Sequence, residues 1–231
     1  MDLLEPTRQA FLLLLRGDPD LLRIIWLSIW LSLAAIALIA PPSIALAVLL
    51  AKRRFPGQRV VVVLVQALLS FPTVVIGLIL YLLFSRRGPF GSLELLFTPG
   101  AIMIGYMVIA FPILVVFTVS AVQGADPRVY ETARSLGASA RRASLTTLWE
   151  VRFGIIAAIV SGFGRVISEV GCAILVGGNI DGFTRNMPTA IALETSKGDF
   201  AQGIALGMVL MAIALGINVV MALLQGEGGM K

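Results

Sequence analysis

The sequence of 231 residues contains no histidine and a single cysteine, Cys172. Histidine is the commonest general base and metal ligand in proteins, and a disulfide needs two cysteines, so most enzymatic, metal and disulfide chemistry is excluded. Only 13% of the residues are charged and 58% are hydrophobic. A soluble domain has about 25% charged and about 45–50% apolar residues. The composition therefore indicates an integral membrane protein.

Two further features are missing from the sequence. There is no GxxxxGK[ST] loop, so any ATP hydrolysis linked to this chain is expected in a partner. The net charge is +5, but the basic residues lie between apolar runs and form no basic patch interleaved with aromatic side chains. We therefore expect no cofactor and no metal in this chain, membrane lipid around it, and no nucleic-acid partner.

Long apolar runs dominate what is present. A helix needs about 20 apolar residues to cross the hydrocarbon core, and backbone groups in lipid must be hydrogen-bonded internally. The runs are longer than transmembrane β-strands and lack their alternation. The sequence therefore predicts an all-α polytopic membrane protein with five transmembrane helices. The predicted spans cover residues 24–50, 60–84, 101–122, 153–176 and 204–224.

The distribution of basic residues predicts the orientation. Of 18 Lys and Arg residues, ten follow the first span, separate the third and fourth spans, or end the chain, and seven lie on the opposite side. Because basic residues are enriched in cytoplasmic loops, the N-terminus is expected outside and the tail, residues 225–231, inside. Residues 1–20 are expected to form a short helix at the outer interface, with Phe11, Leu14 and Leu15 toward lipid.

Prolines and one charged pair interrupt the apolar spans. Each proline removes a backbone donor, so it is expected to bend its helix, which either assists bundle packing or provides a hinge. Pro72, followed by Thr73, is the candidate for the lining of a pathway or gate. Arg165 and Glu169 are spaced i, i+4 inside the fourth span and are expected to pair. They either brace neighbouring helices, take part in gating, or attract a passing anion. The other intramembrane prolines are Pro41, Pro42 and Pro112.

The segment of residues 123–152, called the hook below, carries the most specific signal. Asp126 and Pro127 form an N-cap followed by proline at the first helical position. They predict a helix ending at Leu136, with Gly137 beyond its C-cap. Ser139 is then placed to cap a second helix. The sequence predicts a helix–glycine–helix element on the cytoplasmic face, suited to a groove on a soluble partner.

Residues 130–139, YETARSLGAS, resemble the cytoplasmic "EAA" loop of ABC importer permeases. Thr132 stands where that loop has its first alanine, and the usual downstream proline is absent. The resemblance implies a type I importer permease (MetI-like) fold over residues 21–224, paired with a second copy of itself. It also implies two cytoplasmic ABC ATPases that bind ATP and Mg and grip the hook. The coupling residues so implied are Glu131, Thr132, Ala133, Arg134, Leu136, Gly137 and Arg141.

The segment that follows the fourth span predicts an outer loop. Gly177, Gly178 and Asn179 favour a turn, and Arg185 lies close by. The loop is either an ordinary connector or the docking place of an extracytoplasmic binding protein. Together with residues 164–171, the run of residues 176–180 resembles molybdate, sulfate and tungstate importer permeases, and residues 189–200 resemble the tungstate branch. The resemblance implies a tetrahedral oxyanion as cargo and an oxyanion-binding protein as partner.

The predicted function is therefore that of a non-catalytic permease subunit in the plasma (inner) membrane of a prokaryote. It imports an oxyanion, tungstate in first place and molybdate or sulfate as alternatives, by ATP-driven alternating access. An ATP-independent channel or secondary transporter would be expected to show inverted repeats, and none is evident. An intramembrane enzyme would need an activated nucleophile, for which only Ser161 or Ser168 near Glu169 is available.

Overall fold

The computed structural model describes residues 4–52 and 55–225, and within these ranges the chain is helical with no β-strand. These ranges also contain one 3-10 turn, Gly91–Leu93. The predictions made for Arg53 and Arg54 and for the tail beyond residue 225 concern residues outside these ranges. The helices are α1 Leu4–Arg16, α2 Pro19–Lys52, α3 Gln58–Leu68, α4 Thr73–Phe84, α5 Pro99–Gln123, α6 Pro127–Ser135, α7 Ala140–Glu150, α8 Arg152–Ile167, α9 Gly171–Gly177, α10 Met187–Lys197 and α11 Phe200–Gln225.

Three of these helices, α2, α5 and α11, are long and apolar enough to cross a membrane alone. They correspond to the first, third and fifth predicted spans. Helix α2 has 34 residues and continues through Pro41 and Pro42, while α5 continues through Pro112. These prolines therefore do not end a helix.

The second predicted span, residues 60–84, is wrong as one helix. It consists of α3 and α4, which meet at 99°. Pro72 is the N-cap of α4, with extended φ and ψ angles. Proline has no N–H to donate, and it disfavours the helical conformation in the residue before it, so the chain turns here instead of bending gently.

The fourth predicted span, residues 153–176, is also interrupted. Helix α8 ends at Ile167, and the short helix α9 starts at Gly171. The Ser168 hydroxyl donates to the carbonyl oxygens of Gly164 and Arg165, both at 3.2 Å. Such local side-chain bonds compete with the helical ladder. Helix α8 also meets α7 at 64°. By length and composition, the described residues contain three helices able to cross a membrane, or up to five spans if each bent pair of helices forms one.

The main core surrounds α5, which packs between α2 and α8. Close packing depends on glycine at two contacts. A Cβ at Gly105 would lie 2.6 Å from Cys172 Sγ, and one at Gly162 would overlap the Leu114 side chain. Because protein interiors are close-packed, neither position has room for a larger residue. On α2, by contrast, Trp26 is 69% exposed, as expected for a side chain facing lipid.

The N-terminal helix α1 packs against α11. Ala10 is fully buried, and Leu14 packs against the cluster that contains Ala205. The predicted orientation of Leu14 toward lipid is therefore wrong, because Leu14 lies on the face of α1 that packs against α11. Phe11 and Leu15 are 54% and 82% exposed and do point outward.

Candidate functional site

The hook is built by local capping bonds. Asp126 Oδ1 accepts the N–H of Arg128 at 2.9 Å, which starts α6. Gly137 has φ +87°, and the next N–H, of Ala138, donates to the Ala133 carbonyl at 3.0 Å. Glycine adopts this left-handed conformation without the steric cost of a side chain, so it ends the helix. Ser139 Oγ accepts the N–H of Arg142 at 3.3 Å and starts α7. The predicted helix–glycine–helix element is confirmed.

One face of α6 is open. Leu136 is 82% exposed at the end of this helix. It borders a shallow depression together with Val129, Thr132 and Ala133. Glu131 and Arg134 are exposed on the same helix. An exposed leucine beside an apolar depression and charged side chains is typical of a protein-binding surface.

Arg141 does not lie in this depression. It lines a larger cavity between the hook and α2, together with Tyr130 and Ser144. The structure therefore brings six of the seven predicted coupling residues to α6 and its C-terminal turn and places the seventh on α7, against a different cavity.

The predicted pair of charges is present. Arg165 Nη1 lies 2.7 Å from Glu169 Oε2. The Glu169 side chain is 3% exposed, whereas that of Arg165 is 41% exposed. Glu169 Oε1 also accepts the N–H of Cys172 at 3.1 Å. The carboxylate thus joins the last turn of α8 to the first turn of α9 across the break, a role that a continuous span did not predict.

The two helix breaks lie side by side. Pro72 and Thr73 open α4, and the next residue, Val74, contacts α9. A Cβ on Gly171 would lie 2.5 Å from Val74 Cγ2, so the first turns of α4 and α9 are in close contact. We call residues 69–72 and 168–170 the paired breaks. Val74, which follows Pro72 and Thr73, and Glu169 both lie beside Gly171, a contact that the periodicity of the sequence does not indicate.

The outer loop is more ordered than a simple turn. Gly178 and Asn179 have φ values of +70° and +51°. Gly177 is buried, and its carbonyl accepts the Thr184 hydroxyl at 2.6 Å. Arg185 Nη1 pairs with Asp181 at 3.1 Å. Of the four predicted docking residues, Gly178 is exposed, Asn179 and Arg185 are partly buried, and Gly177 is not accessible.

A helix that the sequence analysis missed follows this loop. Asn186 caps α10 through a reciprocal capping box with Thr189. The Asn186 amide also donates to the Tyr106 hydroxyl at 3.1 Å, and the N–H of Met187 donates to Ser28 Oγ at 2.7 Å. All five residues are buried. The Asn–x–x–Thr spacing around Pro188 is the signal that could have identified this helix start.

In the described part of the chain, no group of three or more His, Cys, Asp or Glu side chains is arranged to hold a metal ion. Among the described residues, two ion pairs have a buried carboxylate, Arg165–Glu169 and Lys197–Glu194. The exposed α6 face of the hook suits the binding of a protein partner.

Comparison with known proteins identifies the family. The model of the family "binding-protein-dependent transport system inner membrane component" matches residues 43–226, well over half of the chain. The chain belongs to this family. The resemblance carried by residues 130–139 is thereby confirmed, and the family consists of membrane components of binding-protein-dependent transporters.

Several curated relatives cover most of the chain. A probable anion ABC transporter permease of Haloferax volcanii is 40% identical, covering 83% of this chain and 84% of its own length. The tungstate uptake permease TupB of Campylobacter jejuni is 42% identical over 71% and 69%, respectively. TupB of Peptoclostridium acidaminophilum is 36% identical over 96% and 98%. Among solved structures, a chain from an amino acid ABC transporter matches with a TM-score of 0.66 at 17% identity, over 92% of this chain and 96% of that one. That likeness shows that the permease fold is shared.

Proposed function

We propose that this chain is the permease subunit of an ATP-driven importer of a tetrahedral oxyanion, with tungstate as its cargo. The observation that carries the proposal is the exposed α6 face of the hook in a member of this family. The tungstate permeases at 42% and 36% identity support the choice of cargo. A sulfate permease of Escherichia coli, CysW, is 30% identical over 77% of this chain, which makes sulfate the second candidate.

The hook acts as the handle for a cytoplasmic ATPase. Its coupling surface consists of Glu131, Thr132, Ala133, Arg134, Leu136 and Gly137. A rigid element held by caps at Asp126 and Ser139 transmits a displacement of the ATPase to α5 and α8, between which it is inserted. ATP and Mg are bound by two such ATPases. The chain itself supplies no residue for hydrolysis.

Two copies of the chain enclose the pathway. The Arg165 side chain is 41% exposed although it lies in a largely apolar stretch of its helix. A charge facing lipid is costly, so this surface requires water or a second subunit. Pairing about a twofold axis, the commonest symmetry of oligomers, places the exposed sides of the two α8 helices around a central path.

The paired breaks form the moving part of this path. Helices that end inside a bundle shift relative to one another with less disturbance than a continuous helix does. Pro72 and Thr73 mark one break, and Arg165 and Glu169 bridge the other. We assign this pair to bracing and gating, and we assign docking of the extracytoplasmic oxyanion-binding protein to the outer loop at Gly178, Asn179 and Arg185. The N-terminus lies outside and the C-terminus in the cytoplasm of a prokaryote.

The test is reconstitution of the permease in liposomes with its candidate ATPase and binding protein. ATP turnover should be stimulated at lower concentration by tungstate than by molybdate or sulfate, and uptake should require all components. Transport by the permease without an ATPase would contradict the proposal. Stimulation by sulfate alone would retain the importer and replace the cargo.

A further inference from the structure

A cavity of about 1010 Å³ lies between the hook and the ends of α2 and α5. Its α2 wall is apolar and is formed by Ala45, Val48 and Leu49. This wall belongs to the last turns of a helix that is long and apolar enough to span the membrane. The apolar wall of the cavity therefore lies near one end of a candidate membrane span.

The opposite wall has a different chemistry. Gln123, Tyr130, Arg141 and Ser144 line it from the end of α5 and from the hook. One wall thus suits hydrocarbon and the other suits a polar, hydrogen-bonding group. A phospholipid has this division, with its head group and its acyl chains joined at the interface.

The charges at the polar wall favour an anion. None of the four ion pairs among the described residues involves Arg141. Asp126 also lines the cavity, but its carboxylate accepts the Arg128 N–H at 2.9 Å and lies at the N-terminus of α6, which offsets its charge. A basic side chain near the cytoplasmic surface of the membrane attracts an anionic head group.

We infer that this cavity binds an anionic phospholipid of the inner leaflet, with its phosphate at Arg141 and an acyl chain along Ala45 and Val48. The lipid then fills the space behind the hook and supports it from the side opposite the open α6 face. The inference uses the cytoplasmic placement of the hook given above. It does not depend on the cargo.

The experiment measures lipid binding to the purified full chain in detergent by native mass spectrometry. Phosphatidylglycerol and phosphatidylcholine with the same acyl chains are added separately. Phosphatidylglycerol should bind more tightly, and Arg141→Gln should weaken it about fivefold, the effect of one basic residue near a head group. Arg142→Gln is the matched control, because the neighbouring residue does not line the cavity.

A second variant tests the apolar wall. Ala45→Phe should fill the cavity and reduce binding of the lipid, whereas Leu38→Phe, two turns earlier on an exposed part of α2, should not. Equal binding of the two lipids, or equal effects of Arg141→Gln and Arg142→Gln, would overturn the inference. Displacement of the lipid by added ATPase would also overturn it, since the ATPase would then be the occupant. Failure of tungstate to stimulate ATP turnover would contradict the proposed cargo, and the lipid-binding result would not be affected.

Discussion

The hook and the paired breaks both interrupt an apolar bundle, and they are held in place by opposite means. In the hook, side chains cap the backbone within a few residues: Asp126 caps α6 and Ser139 caps α7, and the functional surface at Leu136 is exposed. In the paired breaks, the Glu169 carboxylate is buried and links two helices, and a third helix packs against it through Val74. A surface built by local bonds can change its outer residues without loss of the fold. A buried junction cannot.

This contrast predicts its largest effect at Glu169. Glu169→Ala removes the partner of Arg165 and the acceptor of the buried Cys172 N–H, so the folded protein should lose on the order of 3 kcal/mol through a cavity and an unpaired buried donor. Thermal unfolding in detergent and uptake should both decline strongly. The control is Glu5→Gln, which breaks the Arg8–Glu5 pair, whose side chains are 75% and 60% exposed, and should cost no more than about 1 kcal/mol. Equal losses in the two variants would contradict the assigned role of the buried carboxylate.

The same reasoning separates Arg165 from Glu169. Arg165→Gln leaves the carboxylate with its bond from the Cys172 N–H and keeps an amide donor at position 165, so stability should decrease less than in Glu169→Ala, which removes every bond of the carboxylate. If Arg165 serves bracing and gating, the ratio of tungstate to sulfate uptake should stay constant while the rate declines. A selective change in which anion is carried would instead indicate that Arg165 contacts the transported anion.

At the hook the expected effect is on partner binding alone. Leu136→Ala removes an exposed side chain from the coupling surface, so ATPase affinity should decrease by about 2 kcal/mol, as at a central interface residue. The unfolding temperature should not change. Leu93→Ala is the control, since Leu93 is 59% exposed in the 3-10 turn between α4 and α5. Binding of labelled ATPase to permease in nanodiscs provides the measurement, and an unchanged affinity would remove Leu136 from the interface.

The difference between the two regions also explains what could be predicted from sequence. Asp126, Gly137 and Ser139 act on backbone groups two to five residues away, so their pattern is visible in the chain itself. The contact between Val74 and Gly171 joins distant parts of the chain, and the hydrophobic periodicity of the sequence does not indicate it. Both spans therefore looked continuous, although Pro72 marked one break.

The outer part of the molecule falls between these cases. The capping signal of α10 is local and is visible in the sequence at Asn186 and Thr189. Two long-range hydrogen bonds could not be predicted from the sequence. Asn186 donates to the Tyr106 hydroxyl on α5, and the N–H of Met187 donates to Ser28 Oγ on α2. These long-range bonds bury a loop that otherwise has the composition of a connector.

The smallest effect is expected at Gly137, where it tests whether the hook is stabilised independently of the helix bundle. A methyl group there would meet no atom within 4 Å, so only the positive φ opposes Gly137→Ala, with a cost of about 1 kcal/mol. Gly216→Ala is the matched control, since the added methyl again meets nothing but lies in a regular helix. Hydrogen exchange should show faster opening in α6 for Gly137→Ala, with α5 and α8 unchanged, because the hook is held by its own caps. Faster exchange in α8 as well would mean that the hook and the bundle unfold as one cooperative unit. Stabilisation by local caps would then no longer distinguish the hook from the paired breaks.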